Sequence, residues 1–421
     1  MDKFIINGGK KLSGEVEVSG AKNASLALMP ATILASGTSV LKNTPELNDV
    51  FTMIKLLKHI GAEIAFENGM LKIDSKNIND FTAPYEHVKK MRASVYVLGP
   101  LLARFAKAKV SLPGGCAWGP RPINLHLEAM KKLGAEIDLS EGYIIAKAKN
   151  LVGSKINFDI SSVGATGNAL MAAVLAKGTT VISNAAIEPE IRQLAEFLIS
   201  MGARIDGVGT NRLEIEGVDS LNSSEITTIP DRIETGTLLA AGCITKSKVT
   251  ITNTDKKIIE SILLKLEKCG AKMFIEDKKI TIDCTDIELK PVSISTSVYP
   301  GFPTDMQAQW TALMSTIKGK SSVTDTIYSD RFNHVPELNR LGAKISVENN
   351  RAIINGVNKL KGAKVMSTDL RASACLVLAG LAAEGRTEVL RVYHLDRGYQ
   401  RIEKKLEILG ADIQRLESKE F

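Results

Sequence analysis

One five-residue pattern recurs six times along this chain and limits what it can fold into. An apolar residue, Gly, Ala, a polar residue and a second apolar residue appear as Ile60-Gly61-Ala62-Glu63-Ile64, Leu133-Gly134-Ala135-Glu136-Ile137 and Met201-Gly202-Ala203-Arg204-Ile205. They return as Cys269-Gly270-Ala271-Lys272-Met273, Leu341-Gly342-Ala343-Lys344-Ile345 and Leu409-Gly410-Ala411-Asp412-Ile413. Successive glycines lie 73, 68, 68, 72 and 68 residues apart in 421 residues. Self-similarity at a fixed period marks a fold built from copies of one supersecondary unit. Each glycine follows an amphipathic stretch, such as 51–60 or 402–409, and glycine in the left-handed conformation commonly ends a helix. Alternating apolar residues follow, as over 62–66, the signature of a half-buried strand.

A second pattern sits about half a period away. Small apolar residues over 27–37 read as a helix leading into a strand at 38–41. The same order appears at 169–178 with 179–182, at 237–246 with 247–251, and at 372–385 with 386–390. These helices are apolar on nearly every face and should be buried. Each repeat therefore reads helix–strand–helix–strand–strand. Six such units fill the chain as an α/β protein with helices inside and sheets outside. Three repeats close one domain, so two domains are expected: residues 21–229, and residues 1–20 plus 230–421. The join falls within 223–230, and the N-terminal strand pairs into the second domain. A ligand is expected in the cleft between the halves.

Composition narrows the function. Lys and Arg number 54 against 47 Asp and Glu, for a net charge of +7. No dense basic run accompanies that excess, which suits small anionic substrates better than nucleic acid. Apolar runs such as 95–103 are too short to cross a membrane, and the first residues lack a signal-peptide apolar core. The five cysteines are scattered, with no CxxC pair and no Cys/His cluster. The expectation is a cytoplasmic, monomeric protein with free thiols, no metal and no cofactor.

The most unusual local stretch is Leu112-Pro113-Gly114-Gly115-Cys116-Ala117-Trp118-Gly119-Pro120-Arg121-Pro122. Its prolines and glycines exclude helix and central strand, leaving a surface loop. Arg121 near Cys116 favours the thiolate and makes Cys116 a candidate reactive group. The alternative is a turn cysteine that packs as a small hydrophobe.

This loop, continuing through Asn124-Leu125-His126, resembles the active loop of the UDP-N-acetylglucosamine enolpyruvyl transferases. The likeness extends along the chain. Ser19-Gly20-Ala21-Lys22-Asn23-Ala24 is similar to the family's lysine motif, and Phe302-Pro303-Thr304-Asp305-Met306-Gln307-Ala308-Gln309 to its aspartate motif. Asp231-Arg232-Ile233-Glu234-Thr235-Gly236-Thr237, Arg331-Phe332 with His334-Val335-Pro336-Glu337-Leu338, Thr368-Asp369-Leu370-Arg371 and His394-Leu395-Asp396-Arg397-Gly398-Tyr399 also match. Trp118, Pro120 and the Ser329-Asp330 pair depart from the family pattern. The family's fold, two inside-out α/β barrels of three repeats each, agrees with the repeat count.

The resemblance implies transfer of the enolpyruvyl group of phosphoenolpyruvate to the 3′-hydroxyl of UDP-N-acetylglucosamine, the first committed step of peptidoglycan synthesis. Cys116 is implied as proton donor, as the nucleophile of a covalent phosphothioketal adduct with phosphoenolpyruvate, or as both. Asp305 is implied as the base for the sugar hydroxyl, although Pro303-Thr304-Asp305 before an apolar helix also reads as a cap. Lys22, Arg121 and Arg397 are implied as the clamp on phosphate and developing charge, with Arg331 and Arg371 near the carboxylate or intermediate. Arginine suits such sites because its planar fork binds oxyanions bidentately. Asp369 is implied in elimination, with helix capping as its alternative, and Asn23 in contacts to both substrates. The nucleotide is implied to bind Arg92, Arg121, Pro122, Ile123, Asn124, Leu125, Ser162, Val163, Gly164, Asp305 and Ile327. His126 and His394 read as structural. Two other readings stay open: the sister 3-phosphoshikimate enzyme, whose corresponding loop has no cysteine, and a non-enzymatic ring or nucleic-acid binder.

Overall fold

The computed structural model describes residues 2–89, 91–112 and 123–417. The chain divides into two compact units, one of Gly20–Ile229 and one of Met1–Ser19 with Pro230–Phe421.

In the unit of residues 20–229 three helices are buried: Lys22–Ala31, Leu98–Phe105 and Val163–Ala173. In the other unit the buried helices are Arg232–Ile244, Gln307–Ser315 and Leu370–Ala382. Among the described residues each unit also carries three four-stranded sheets. Their strands alternate buried and exposed residues, as in Thr38–Lys42 and Lys248–Thr252. One sheet face therefore packs on the helices and the other meets solvent. Burying an aliphatic side chain contributes about 1.5–3 kcal/mol, so these inner faces and the helices they cover supply each unit's stability.

Every four-stranded sheet joins one parallel pair to two antiparallel pairs, including the one that holds the N-terminal strand in its interior. Lys155–Asn157, for instance, runs parallel to Thr179–Ser183, which pairs antiparallel with Arg212–Glu216, itself antiparallel to Arg204–Asp206. Several pairings join distant stretches of sequence. Glu225–Thr227 lies parallel to Thr38–Lys42, so the last strand of this unit completes the sheet of its first repeat. Asp2–Asn7 sits between Arg386–Leu390 and Asp412–Glu417, and Glu15–Glu17 lies beside Lys248–Thr252.

The amphipathic helices are Asn48–His59, Asn124–Lys132, Pro189–Ser200, Lys256–Lys268, His334–Arg340 and Ile402–Ile408. The repeat glycines that follow them, from Gly61 to Gly410, all have φ between +91° and +108°. A left-handed residue turns each chain out of its helix and into the next strand.

Sequence and structure differ in the buried helices. The expected starts at 27, 169, 237 and 372 move upstream to Lys22, Val163, Arg232 and Leu370. The added turns carry polar residues, which hide them from an apolar pattern. Two more buried helices escape that pattern altogether. Leu98–Phe105 contains Gly99 and Pro100, which read as breakers. A Cβ at Gly99 would lie 2.5 Å from the Asn168 carbonyl oxygen, so glycine here permits close helix–helix contact. Gln307–Ser315 is wholly buried yet contains Gln307, Gln309 and Thr311.

Candidate active site

Two groups of expected residues form within the unit of residues 20–229. Lys22 opens its helix with Nζ 3.3 Å from Oδ2 of Asp49, and both side chains are largely buried. Asp49 lies in the first turn of Asn48–His59, where a carboxylate also complements the helix dipole. That local role hides its other one, because the sequence does not show that it meets Lys22. The ion pair holds the largely buried Lys22 ammonium at one position. Asn23 is exposed beside it.

The second group gathers around His126. Ile123 precedes the helix Asn124–Lys132, Asn124 is exposed and Leu125 is half-buried. His126 is buried, and its Nδ1 lies 2.9 Å from Nδ2 of Asn168. Asn168 is oriented by its other bonds: Oδ1 accepts the Gly99 N–H at 2.9 Å, and Nδ2 donates to the Val95 carbonyl at 2.9 Å. Nδ1 of His126 is therefore an acceptor, and the imidazole carries its proton on Nε2. Burial first, and the charge of Arg92 second, lower this histidine to a pKa of about 4. A Cβ on Gly164 would come within 3.0 Å of the same ring. Ser162 caps the following helix by accepting the Ala165 N–H at 3.3 Å. Arg92, residues 123–126 and residues 162–164 thus converge. Asn168 is the organiser that sequence reasoning misses, since a buried Asn in an apolar helix carries no motif.

In the other unit Asp305 is central. Its Oδ1 accepts from Arg331 Nη1 at 2.8 Å and its Oδ2 from Arg371 Nη2 at 2.7 Å. The two arginine side chains are 8% and 3% exposed, against 27% for Asp305. The following helix starts at Gln307 with Met306 as its N-cap and no side-chain cap bond, so the capping reading of Asp305 does not hold. Burial disfavours the Arg371 charge, but Asp305, then Tyr399 and Asp231, more than restore it, and its pKa is raised. Arg371 is a permanent cation.

Arg331 also donates to Thr304 Oγ1 at 3.0 Å, and Thr304 donates to Oδ2 of Asp325 at 2.6 Å. Oδ1 of the fully buried Asp325 accepts from Thr296 Oγ1 and from the backbone N–H groups of Ile327 and Tyr328. Asp325 therefore shapes the loop that carries Ile327 and Arg331. No spacing in the sequence points to it.

Asp369 does cap: its Oδ1 accepts the N–H groups of Arg371 and Ala372 at 2.9 and 3.2 Å. Its Oδ2 accepts from Thr368 Oγ1 at 3.2 Å. Arg397 ends the short helical turn Val392–Arg397. Burial lowers the pKa of His394, Asp369 opposes this, and Arg397 and Arg391 add to it. Asp369 and Arg397 thus act electrostatically on one imidazole. Cys116, Trp118, Pro120, Arg121 and Pro122 lie outside the described residues. Among the described residues no group of three His, Cys, Asp or Glu side chains could hold a metal, and no helix is long and apolar enough to cross a membrane.

Both units are built of repeated α/β modules and pair largely buried cations with carboxylates, Lys22 with Asp49 in one, and Arg331 and Arg371 with Asp305 in the other. The chain belongs to the EPSP synthase (3-phosphoshikimate 1-carboxyvinyltransferase) family, whose family model matches residues 6–406. A UDP-N-acetylglucosamine 1-carboxyvinyltransferase from Chloroherpeton thalassium is 59% identical, with 100% of this chain and 99% of that protein covered. The enolpyruvyl transferase NikO from Streptomyces tendae superimposes with a TM-score of 0.90 at 26% identity, covering 99% of both chains. An EPSP synthase from Acinetobacter baumannii shares the fold, with a TM-score of 0.76 at 18% identity over 99% of this chain and 100% of its own.

Proposed function

We propose that this chain transfers the enolpyruvyl group of phosphoenolpyruvate to the 3′-hydroxyl of UDP-N-acetylglucosamine and releases inorganic phosphate. The observation that carries the reading is Asp305 bracketed by two buried guanidinium groups. A carboxylate with two fixed cations beside it can serve a reaction in which a hydroxyl loses its proton next to an anionic partner. The 59% identity to a UDP-N-acetylglucosamine 1-carboxyvinyltransferase favours that acceptor over 3-phosphoshikimate. Cys116 favours it too.

In the proposed sequence Asp305 removes the proton of the 3′-hydroxyl as its oxygen bonds to C2 of phosphoenolpyruvate. Cys116 gives a proton to C3, forming a tetrahedral intermediate. The C2–O bond to phosphate then breaks while C3 loses a proton, with Asp369 assisting, and the double bond returns. Proton transfer by positioned groups typically contributes about 10²- to 10⁴-fold.

Lys22, Arg121 and Arg397 hold the phosphate, and Asp49 fixes Lys22. Arg331 and Arg371 hold the carboxylate, and Asn23 contacts both substrates. The nucleotide binds Arg92, residues 121–125, residues 162–164 and Ile327. The proposed reaction needs no metal or cofactor. The proposal includes a monomeric enzyme acting in the cytoplasm, and the buried free thiols Cys243, Cys269, Cys284 and Cys375 suit a reducing compartment.

The test is phosphate release by the purified full chain with phosphoenolpyruvate and either acceptor. Release with UDP-N-acetylglucosamine alone supports the reading. Release with 3-phosphoshikimate alone replaces it with the sister activity.

A further inference from the structure

Beneath the Asp305–Arg371 pair lies a buried polar cluster with no role in the chemistry above. Tyr399 is 1% exposed, Thr237 1% and Gln309 0%. The Thr237 hydroxyl donates to the Ile233 carbonyl at 2.8 Å, so its oxygen accepts the Tyr399 O–H at 2.9 Å. Gln309 Nε2 lies 3.0 Å from the Tyr399 oxygen and 3.0 Å from the main-chain carbonyl of Asp305. That carbonyl requires a donor, which sets the orientation of the amide. Three helices thereby meet at one phenol: Arg232–Ile244 through Thr237, Gln307–Ser315 through Gln309, and Leu370–Ala382 through Arg371.

Tyr399 also meets Arg371 directly. The guanidinium carbon lies 5.5 Å from the centroid of the phenol ring. Arg371 Nη1 is buried without a hydrogen-bond partner. A buried guanidinium with an unmatched edge is costly, and an aromatic face offsets part of that cost. A Cβ on the neighbouring Gly398 would lie 2.6 Å from Leu370 Cδ2, so glycine lets this turn pack closely on the helix Leu370–Ala382. The two arms of the cluster end at the two members of one ion pair: the ring at Arg371, and the hydroxyl, through Gln309, at the backbone of Asp305.

We propose that Tyr399 is a positioning residue for the Asp305–Arg371 pair, with Gln309 and Thr237 as its supports. The phenol fixes the guanidinium plane and the Asp305 backbone together, so that carboxylate and cation keep one relative geometry as substrate arrives. A group held to within a fraction of an ångström converts binding into rate, and a slack one loses both. The inference rests on the proposed enolpyruvyl transfer.

The test uses the full chain and four proteins: wild type, Tyr399→Phe, Thr237→Val and Thr237→Ser. Tyr399→Phe keeps the ring and the volume but cuts the tie to Gln309 and Thr237. We expect kcat/KM for phosphoenolpyruvate to fall about three- to tenfold while KM for UDP-N-acetylglucosamine stays within about twofold. The melting midpoint should stay within about 2 °C of wild type. Thr237→Val should share the defect, and Thr237→Ser, which keeps the hydroxyl, should behave as wild type. A folded Tyr399→Phe enzyme with wild-type kinetics overturns the proposal. So does a loss shared equally by both substrates and tracking the folded fraction, which is what a purely structural tyrosine would give. Inactivity of the wild-type chain with UDP-N-acetylglucosamine instead refutes the proposed function. In that event the midpoint shift produced by phosphoenolpyruvate alone, compared between wild type and Tyr399→Phe, still reads the inference: a smaller shift in the variant supports it, and equal shifts or none overturn it.

Discussion

Replacing Asp305 by Asn changes charge without changing shape, and the structure sets the consequences. The carboxylate accepts from Arg331 at 2.8 Å and from Arg371 at 2.7 Å, and both guanidinium groups are more than nine-tenths buried. Removing one partner of a buried ion pair typically costs about 3–5 kcal/mol, because the remaining charge is left uncompensated. Asp305 itself is 27% exposed, so solvent screens part of that loss and about 2–3 kcal/mol is expected. In a unit of this size each kcal/mol moves the midpoint by about 2–4 °C, so a drop of about 5–10 °C should follow. Turnover should fall by about 10²- to 10⁴-fold as the base disappears. Two buried cations facing a neutral amide will also seek an anion. Added inorganic phosphate should therefore raise the midpoint of Asp305→Asn more than that of wild type. Scanning calorimetry across a phosphate series, beside a phosphate-release assay, measures all three effects. Wild-type turnover, or a phosphate response no larger than wild type's, would show that Asp305 neither serves as the base nor neutralises the two arginines.

Three further outcomes are expected. His126 is neutral in both folded and unfolded chains above about pH 6.5. Below that the unfolded chain takes a proton that the folded one refuses until about pH 4, so stability is lost across this window. His126→Gln should flatten that loss by up to about 3 kcal/mol in denaturant titrations at pH 7 and pH 4, and parallel pH slopes would contradict the burial argument. Gly270 has φ +94°, and a Cβ added there would meet nothing within 4 Å, so Gly270→Ala tests backbone strain alone. It should cost about 1 kcal/mol in chemical denaturation, with Gly270→Asn costing less. Cys116→Asp should retain measurable turnover, since a carboxylic acid can still deliver a proton, yet resist alkylation by the epoxide fosfomycin. Labelling of this variant at the wild-type rate, read by intact mass, would count against Cys116 as the reactive thiol.

What the sequence discloses follows from how local each signal is. The six Gly-Ala copies are local and periodic, and each glycine has the left-handed backbone its position implies. Four of the buried helices show as runs of small apolar residues. The helix Gln307–Ser315 does not, because the polar residues Gln307, Gln309 and Thr311 interrupt the apolar pattern although all three are buried. Asp305 shows the limit most clearly. Its neighbours in sequence make a plausible cap, whereas its partners Arg331 and Arg371 lie 26 and 66 residues away. Asp369 has the same local pattern and does cap. Asp49, Asp325 and Asn168 escape notice for the same reason: their partners are brought to them by the fold.

The proposed reaction makes one product that no neighbouring activity makes. Proton NMR of the sugar nucleotide after incubation with phosphoenolpyruvate and the purified chain tests it directly. Two new vinyl protons and a displaced resonance at position 3′ of the sugar are expected, with one inorganic phosphate formed per molecule converted. Unchanged UDP-N-acetylglucosamine beside an enolpyruvyl ether formed on 3-phosphoshikimate would contradict it.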